Sequence, residues 1–220
     1  MKKNIFKKRL LLSLFIFQIL VFHAFSQNTA ENALKLYNER NYESSIRILE
    51  SLNVKPSDLD LYLLLIDNYI KLNNFAMAET LIADAERYHS RNYRLLERKL
   101  LMELMNNRNS EARTTVNTIK QLDNKNYIAN YAEGLLSERA GYYQTAMNMY
   151  ERARVINRVR PEATVSLAYL YLANGDSNAA LKLFNENMTN NPRMAESYYN
   201  LANYYYLNKD YNKALGEIDN

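Results

Sequence analysis

The chain has 220 residues, 48 % apolar and 24 % charged, fractions ordinary for a folded soluble protein. Four glycines and three prolines are too few for a turn-rich sheet protein and favour long helices, while zero cysteines exclude disulfides and thiolate metal sites. Five of the 28 basic residues and none of the 24 acids lie in the first 26 positions, so the remainder carries about −1, and a nucleic-acid partner loses its electrostatic support.

The first predicted element is a leader. "MKKNIFKKRL" carries Lys2, Lys3, Lys7, Lys8 and Arg9. An apolar run from Leu10 to Phe22 follows, then the small residues Ala24 and Ser26. This is the layout of a secretory signal peptide over residues 1–26. The 13-residue run is shorter than the roughly 20 residues that span a bilayer. The expectation is an exported protein, periplasmic, secreted or outer-membrane associated, with no transmembrane segment in the mature chain.

Residues 27–220 repeat themselves. "LAYLYLANGDSNAALKLF" (167–184) returns as "LANYYYLNKDYNKALGEI" (201–218), 34 positions later. Laid along the chain, the pattern predicts units beginning near Ser26, Leu59, Tyr93, Tyr127, Pro161 and Ala195. A small residue recurs as Ser45, Ala78, Ala112, Ala146, Ala180 and Ala214, and a large apolar one four places later as Leu49, Ile82, Val116, Tyr150, Phe184 and Ile218. Within each half, apolar residues keep helical spacing, as in Tyr198, Leu201, Ala202 and Tyr205. Short polar turns such as 174–176 separate the halves. Each unit therefore reads as two antiparallel helices that bury their apolar faces only by stacking on the next pair.

The third unit departs most, with Lys99, Glu103 and Asn109 at apolar positions. The small position of the first helix holds Ile66 and Leu100 in units two and three, which predicts looser or shifted packing there. The sixth unit stops at Asn220, partway through its second helix, and the expectation is a longer protein or an end covered by a partner.

These columns resemble the tetratricopeptide repeat. Leu167, Ala168, Tyr171, Ala180, Phe184 and Pro192 match its signature, as do Tyr198, Leu201, Ala202, Tyr205, Ala214 and Ile218. Tyr62, Leu65, Tyr69, Phe75, Ala78, Ile82 and Ala85 carry it in the second unit. The resemblance implies an all-α solenoid of about six helix-turn-helix repeats wound into a right-handed superhelix.

Residues suited to catalysis are sparse. His89 is the one histidine beyond the leader and reads as a solvated turn residue in "RYHSRN". Neither a phosphate loop nor a paired-histidine metal motif is present. The carboxylate pairs Asp58 with Asp60 and Glu79 with Asp84 read as exposed charges, and "SRNYRLLERK" as a solvated helix face. The expectation is a protein that is not an enzyme, with no cofactor and no metal.

In the tetratricopeptide family a stripe on the first helix of each unit lines a concave groove. The resemblance places it at Leu63, Asp67 and Ile70; Glu97, Leu101 and Leu104; Tyr131, Leu135 and Glu138; Val165, Tyr169 and Leu172; and Tyr199, Asn203 and Tyr206. The last three sets are the candidate ligand-binding residues. They are rich in tyrosine and apolar side chains, as docking surfaces are. Positions that clamp a peptide carboxylate in some family members are mostly Leu, Glu, Tyr and Val here, with Asn200 and Asn203 the only hints. The expected function is a non-catalytic scaffold or adaptor of the bacterial envelope, holding a partner's peptide or helix. The alternatives are a glycan- or lipid-binding envelope module, or a regulatory repeat region of a longer protein with a downstream domain.

Overall fold

The computed structural model describes residues 29–219. The leader and the start of the first repeat lie outside them. Among the described residues there are twelve helices and no strand. They are α1 (29–38, as far as described), α2 (Tyr42–Ser51), α3 (Leu59–Lys71), α4 (Phe75–His89), α5 (Tyr93–Met105), α6 (Asn109–Leu122), α7 (Tyr127–Arg139), α8 (Tyr143–Ile156), α9 (Pro161–Ala173), α10 (Ser177–Asn190), α11 (Ala195–Leu207) and α12 (Tyr211–Ile218).

The turn inside each hairpin is built one way throughout. One residue takes a left-handed conformation at Arg40, Asn73, Asn107, Gly141, Gly175 and Lys209, recurring every 33 or 34 positions. The residue after it donates its N–H to a carbonyl five places back, as Asp176 does to Tyr171 (2.9 Å) and Asp210 to Tyr205 (2.9 Å). This is a Schellman ending, which satisfies the last carbonyls of the first helix. The second helix begins at once. Its start is capped by the side chains of Asn41, Asn74, Asp176 and Asp210 in four hairpins, while Arg108 and Tyr142 stand at that position without a side-chain cap bond.

The chain divides into two compact units, residues 29–102 and 103–219 among those described. The division falls inside α5, in the repeat whose columns depart most from the pattern.

In the first unit, Ala33, Ile46, Leu49 and Leu65 form one buried cluster. Tyr62, Leu63, Ile66, Ala78, Ile82, Ala85, Leu95 and Met102 form another. The stretch expected to be a solvated face is instead half sewn down. Leu95 and Leu96 are buried, Arg94 Nη1 pairs with Asp60 (2.6 Å), and Lys99 Nζ pairs with Glu86 (2.7 Å). Arg98 grips both oxygens of Asp67 at 3.0 and 2.6 Å. The physical reason is register: a charge here meets the neighbouring helix one repeat back, where an acid waits. His89 is likewise not a free turn residue, since its Nε2 lies 2.9 Å from the Pro56 carbonyl.

In the second unit the main cluster joins Ala146, Tyr150, Leu167, Ala168, Leu170, Ala180, Leu183, Phe184, Leu201 and Tyr204. Small and large residues are matched across the hairpin. A Cβ on Gly134 would lie 2.6 Å from the Tyr150 ring, so the largest side chain of its column requires the smallest opposite it. In the next repeat the pair is Ala168 with Phe184. Repeats are also stitched by polar bonds. The Tyr127 hydroxyl donates to Glu162 (3.1 Å) and accepts from the Ala163 N–H (3.1 Å), capping α9, whose own preceding residue, Arg160, makes no side-chain cap bond. Arg160 lies over the Tyr127 ring at 4.3 Å.

Candidate docking groove on the last hairpin

The stripe residues have different surroundings in successive repeats. Tyr131 is half-buried, stacked near Tyr127 (6.2 Å between centroids) and tilted against Tyr150 (5.6 Å). Glu138 accepts a 2.6 Å hydrogen bond from the Tyr150 hydroxyl, and Leu135 is half-buried. Burial and then that carboxylate push the Tyr150 phenol well above its ordinary range. Val165, Tyr169 and Leu172 are half-buried and pack against the main cluster. Tyr169 sits edge-on to Phe184 at 5.2 Å, donates its hydroxyl to Asn200 Oδ1 (3.0 Å) and accepts from Asn203 Nδ2 (3.2 Å). Asn200 and Asn203 therefore brace the preceding repeat.

In the first unit Leu63 is buried, Ile70 packs on the core and Asp67 is held by Arg98. Glu97 lies 3.9 Å from Arg98, and Leu101 is exposed. In the second unit Leu104 is half-buried.

Tyr199 and Tyr206 are different. They are 66 % and 61 % exposed, on the same face of α11. Beside them, Tyr211, Leu215 and Ile218 project from α12 at 55 %, 60 % and 67 % exposure. With Ala202, Asn203 and Ala214 these side chains line a groove of about 340 Å³. Tyr206 and Tyr211 meet edge to face at 5.7 Å and form one wall. A second hollow of about 330 Å³, lined by Pro192, Arg193, Tyr198 and Glu217, lies across Tyr199 and Ile218.

The groove thus draws on both helices of the hairpin. Tyr211, Leu215 and Ile218 fall at i, i+4 and i+7, the same spacing that singled out Tyr199, Asn203 and Tyr206. That spacing on the second helix was the available signal for them. The groove offers aromatic and aliphatic contact with few charges. It suits the apolar face of a helix or an extended segment.

Residues 139–220 match the family described as anaphase-promoting complex, cyclosome, subunit 3. No curated protein matches the chain in sequence. Solved structures do match in fold. PilF of Pseudomonas aeruginosa is 18 % identical, with a TM-score of 0.69 over 87 % of this chain and 88 % of its own. PilW, described as a widely conserved type IV pilus biogenesis factor, is 16 % identical, with a TM-score of 0.71 over 87 % of this chain and 90 % of its own. A tetratricopeptide repeat protein from Parabacteroides merdae is 18 % identical, with a TM-score of 0.63 over 88 % and 77 %. With its 34-residue period, helix pairs and likeness to these structures, the chain has the tetratricopeptide-repeat fold, an all-α solenoid of such repeats.

Proposed function

We propose that the protein is a non-catalytic scaffold of the bacterial envelope that seats a helix or extended peptide of a partner protein between α11 and α12. One observation carries the reading: four large apolar side chains, Tyr199, Tyr206, Tyr211 and Leu215, stand more than half exposed around a single groove. Exposed apolar surface of this kind marks interaction sites, and tyrosine gives large contact area at low entropic cost. The leader-like residues 1–26 support export, and the fold likeness to the pilus biogenesis factor PilW supports a place in an assembly. Among the described residues no helix is long and apolar enough to cross a membrane.

The test is affinity capture from envelope extract, comparing the wild-type chain with a Tyr199→Ala, Tyr206→Ala, Leu215→Ala variant of unchanged helicity. A stoichiometric partner should be retained by the first and lost by the second. Identical captured proteins from both would overturn the groove as the docking site.

A further inference from the structure

A second cleft lies in the second unit, apart from the α11–α12 groove. It has a volume of about 630 Å³, within the roughly 300–1,000 Å³ of ligand clefts. Lys120, Asn124, Lys125, Asn130, Glu151, Arg152, Val155 and Ile156 line it, from the end of α6, the loop after it, α7 and the end of α8.

Its lining carries three cations, Lys120, Lys125 and Arg152, and one acid, Glu151. Lys120 is paired with Glu133, and Glu151 with Arg154 (2.6 Å). Lys125 and Arg152 are exposed and make no ion pair among the described residues. Asp123, a carboxylate in the same loop, accepts the Lys125 backbone N–H at 3.0 Å. The loop that carries Lys125 is held firm: buried Asn130 donates to the carbonyls of Asn124 (3.3 Å) and Asn126 (2.8 Å). A cation on a braced loop loses little freedom on binding.

The last turn of α8 adds the other half of the chemistry. Val155 is 57 % and Ile156 38 % exposed. One repeat later the same positions are Thr189 and Asn190, an ordinary polar helix end. Branched aliphatic residues beside exposed cations that make no ion pair among the described residues suit a ligand that is both anionic and partly apolar. A cleft receives a chain segment, whereas a bilayer surface is broad and meets projecting side chains. We infer that this cleft binds an acidic peptide segment carrying aliphatic or aromatic residues, with Lys125 and Arg152 facing its carboxylates and Val155 and Ile156 its apolar side chains.

The probe is a fluorescein-labelled decapeptide of Asp, Glu, Leu and Phe, titrated by anisotropy against the full chain, with a counterpart in which Lys replaces each acid. Saturable binding of the acidic peptide alone is expected, weakening several-fold between about 50 and 300 mM salt. Lys125→Glu with Arg152→Glu should weaken it by about tenfold or more, and Val155→Ser with Ile156→Ser by about fivefold. Tyr199→Ala with Tyr206→Ala should leave it unchanged, which separates this cleft from the groove on the last hairpin. All four positions are at the surface, and thermal melts followed by circular dichroism check that each variant folds. No saturable binding, equal binding of the lysine peptide, or undiminished affinity in either cleft variant would each overturn the assignment. Binding to vesicles of phosphatidylglycerol and phosphatidylcholine that depends on these residues, without peptide binding, would overturn it in favour of a membrane surface.

Discussion

Glycine has opposite consequences at two helical positions. At Gly134 a methyl group would press into the buried Tyr150 ring at 2.6 Å. Overpacking of this kind costs about 1–3 kcal/mol, more than the roughly 1 kcal/mol a helical alanine returns. At Gly216 nothing lies within 4 Å, so only the helical gain remains. Gly134→Ala should lower the urea midpoint and Gly216→Ala should raise it slightly. A lower midpoint for Gly134→Ala that Tyr150→Leu partly restores would identify the ring as the cause. Conformation separates a further pair of residues. Lys209 and Gly175 fill the same left-handed turn position at φ of 62° and 83°. A non-glycine residue there carries about 1 kcal/mol of strain. Lys209→Gly should stabilise the last hairpin and Gly175→Ala should destabilise its neighbour, by about that much each, measured by thermal denaturation. Titration gives another residue-scale effect. Burial, and then Asp84, push the Tyr62 phenol up to about 12; burial, and then Glu50, do the same to Tyr69. The unfolded chain releases these protons near pH 10 and the folded chain near 12. The folded state therefore holds more protons in that window, and stability should fall as pH rises from 10 to 12. Tyr62→Phe should flatten the fall in the alkaline unfolding curve.

At the scale of elements, helix starts decide where each repeat turns. Asp176 accepts the Ala179 N–H at 2.9 Å, and Asp176→Ala should cost about 1 kcal/mol. Tyr142 occupies the equivalent position before α8, is largely exposed and makes no cap bond. Tyr142→Asp should gain a similar amount, read as a higher melting temperature. For α9 the cap comes from another repeat, through the Tyr127 hydroxyl. Tyr127→Phe keeps the ring and removes that bond, and faster amide exchange at Ala163 is the outcome that checks it. The hairpin alternation was legible in the sequence because turn residues and small–large columns recur with the helices they serve. The borrowed cap was not legible, since Tyr127 and Ala163 lie 36 positions apart and only packing brings them together.

For the whole molecule, the two compact units each carry buried clusters of their own. In repeat proteins stability is close to a sum of local terms. Gly134→Ala should therefore speed hydrogen exchange more across residues 103–219 than across 29–102, and uniform acceleration over both would contradict this. Repeat periodicity also explains what stayed hidden about the site. The stripe that holds Tyr131 and the one that holds Val165 and Tyr169 have the same spacing as the one that holds Tyr199 and Tyr206, yet the first three side chains are half-buried and the last two exposed. Spacing says which side chains share a face, but it does not say which faces another helix covers.

By itself, the order of residues determined that this chain forms paired helices with a 34-residue period. That follows because helical spacing, left-handed turn positions and small–large matching are all local or repeat at fixed intervals. Tertiary structure alone decided that Asp67 answers Arg98, that Tyr169 is claimed by Asn200 and Asn203, and that Tyr199, Tyr206 and the α12 side chains remain open. The reason is that burial and pairing depend on what lies alongside in space, and identical patterns meet different neighbours.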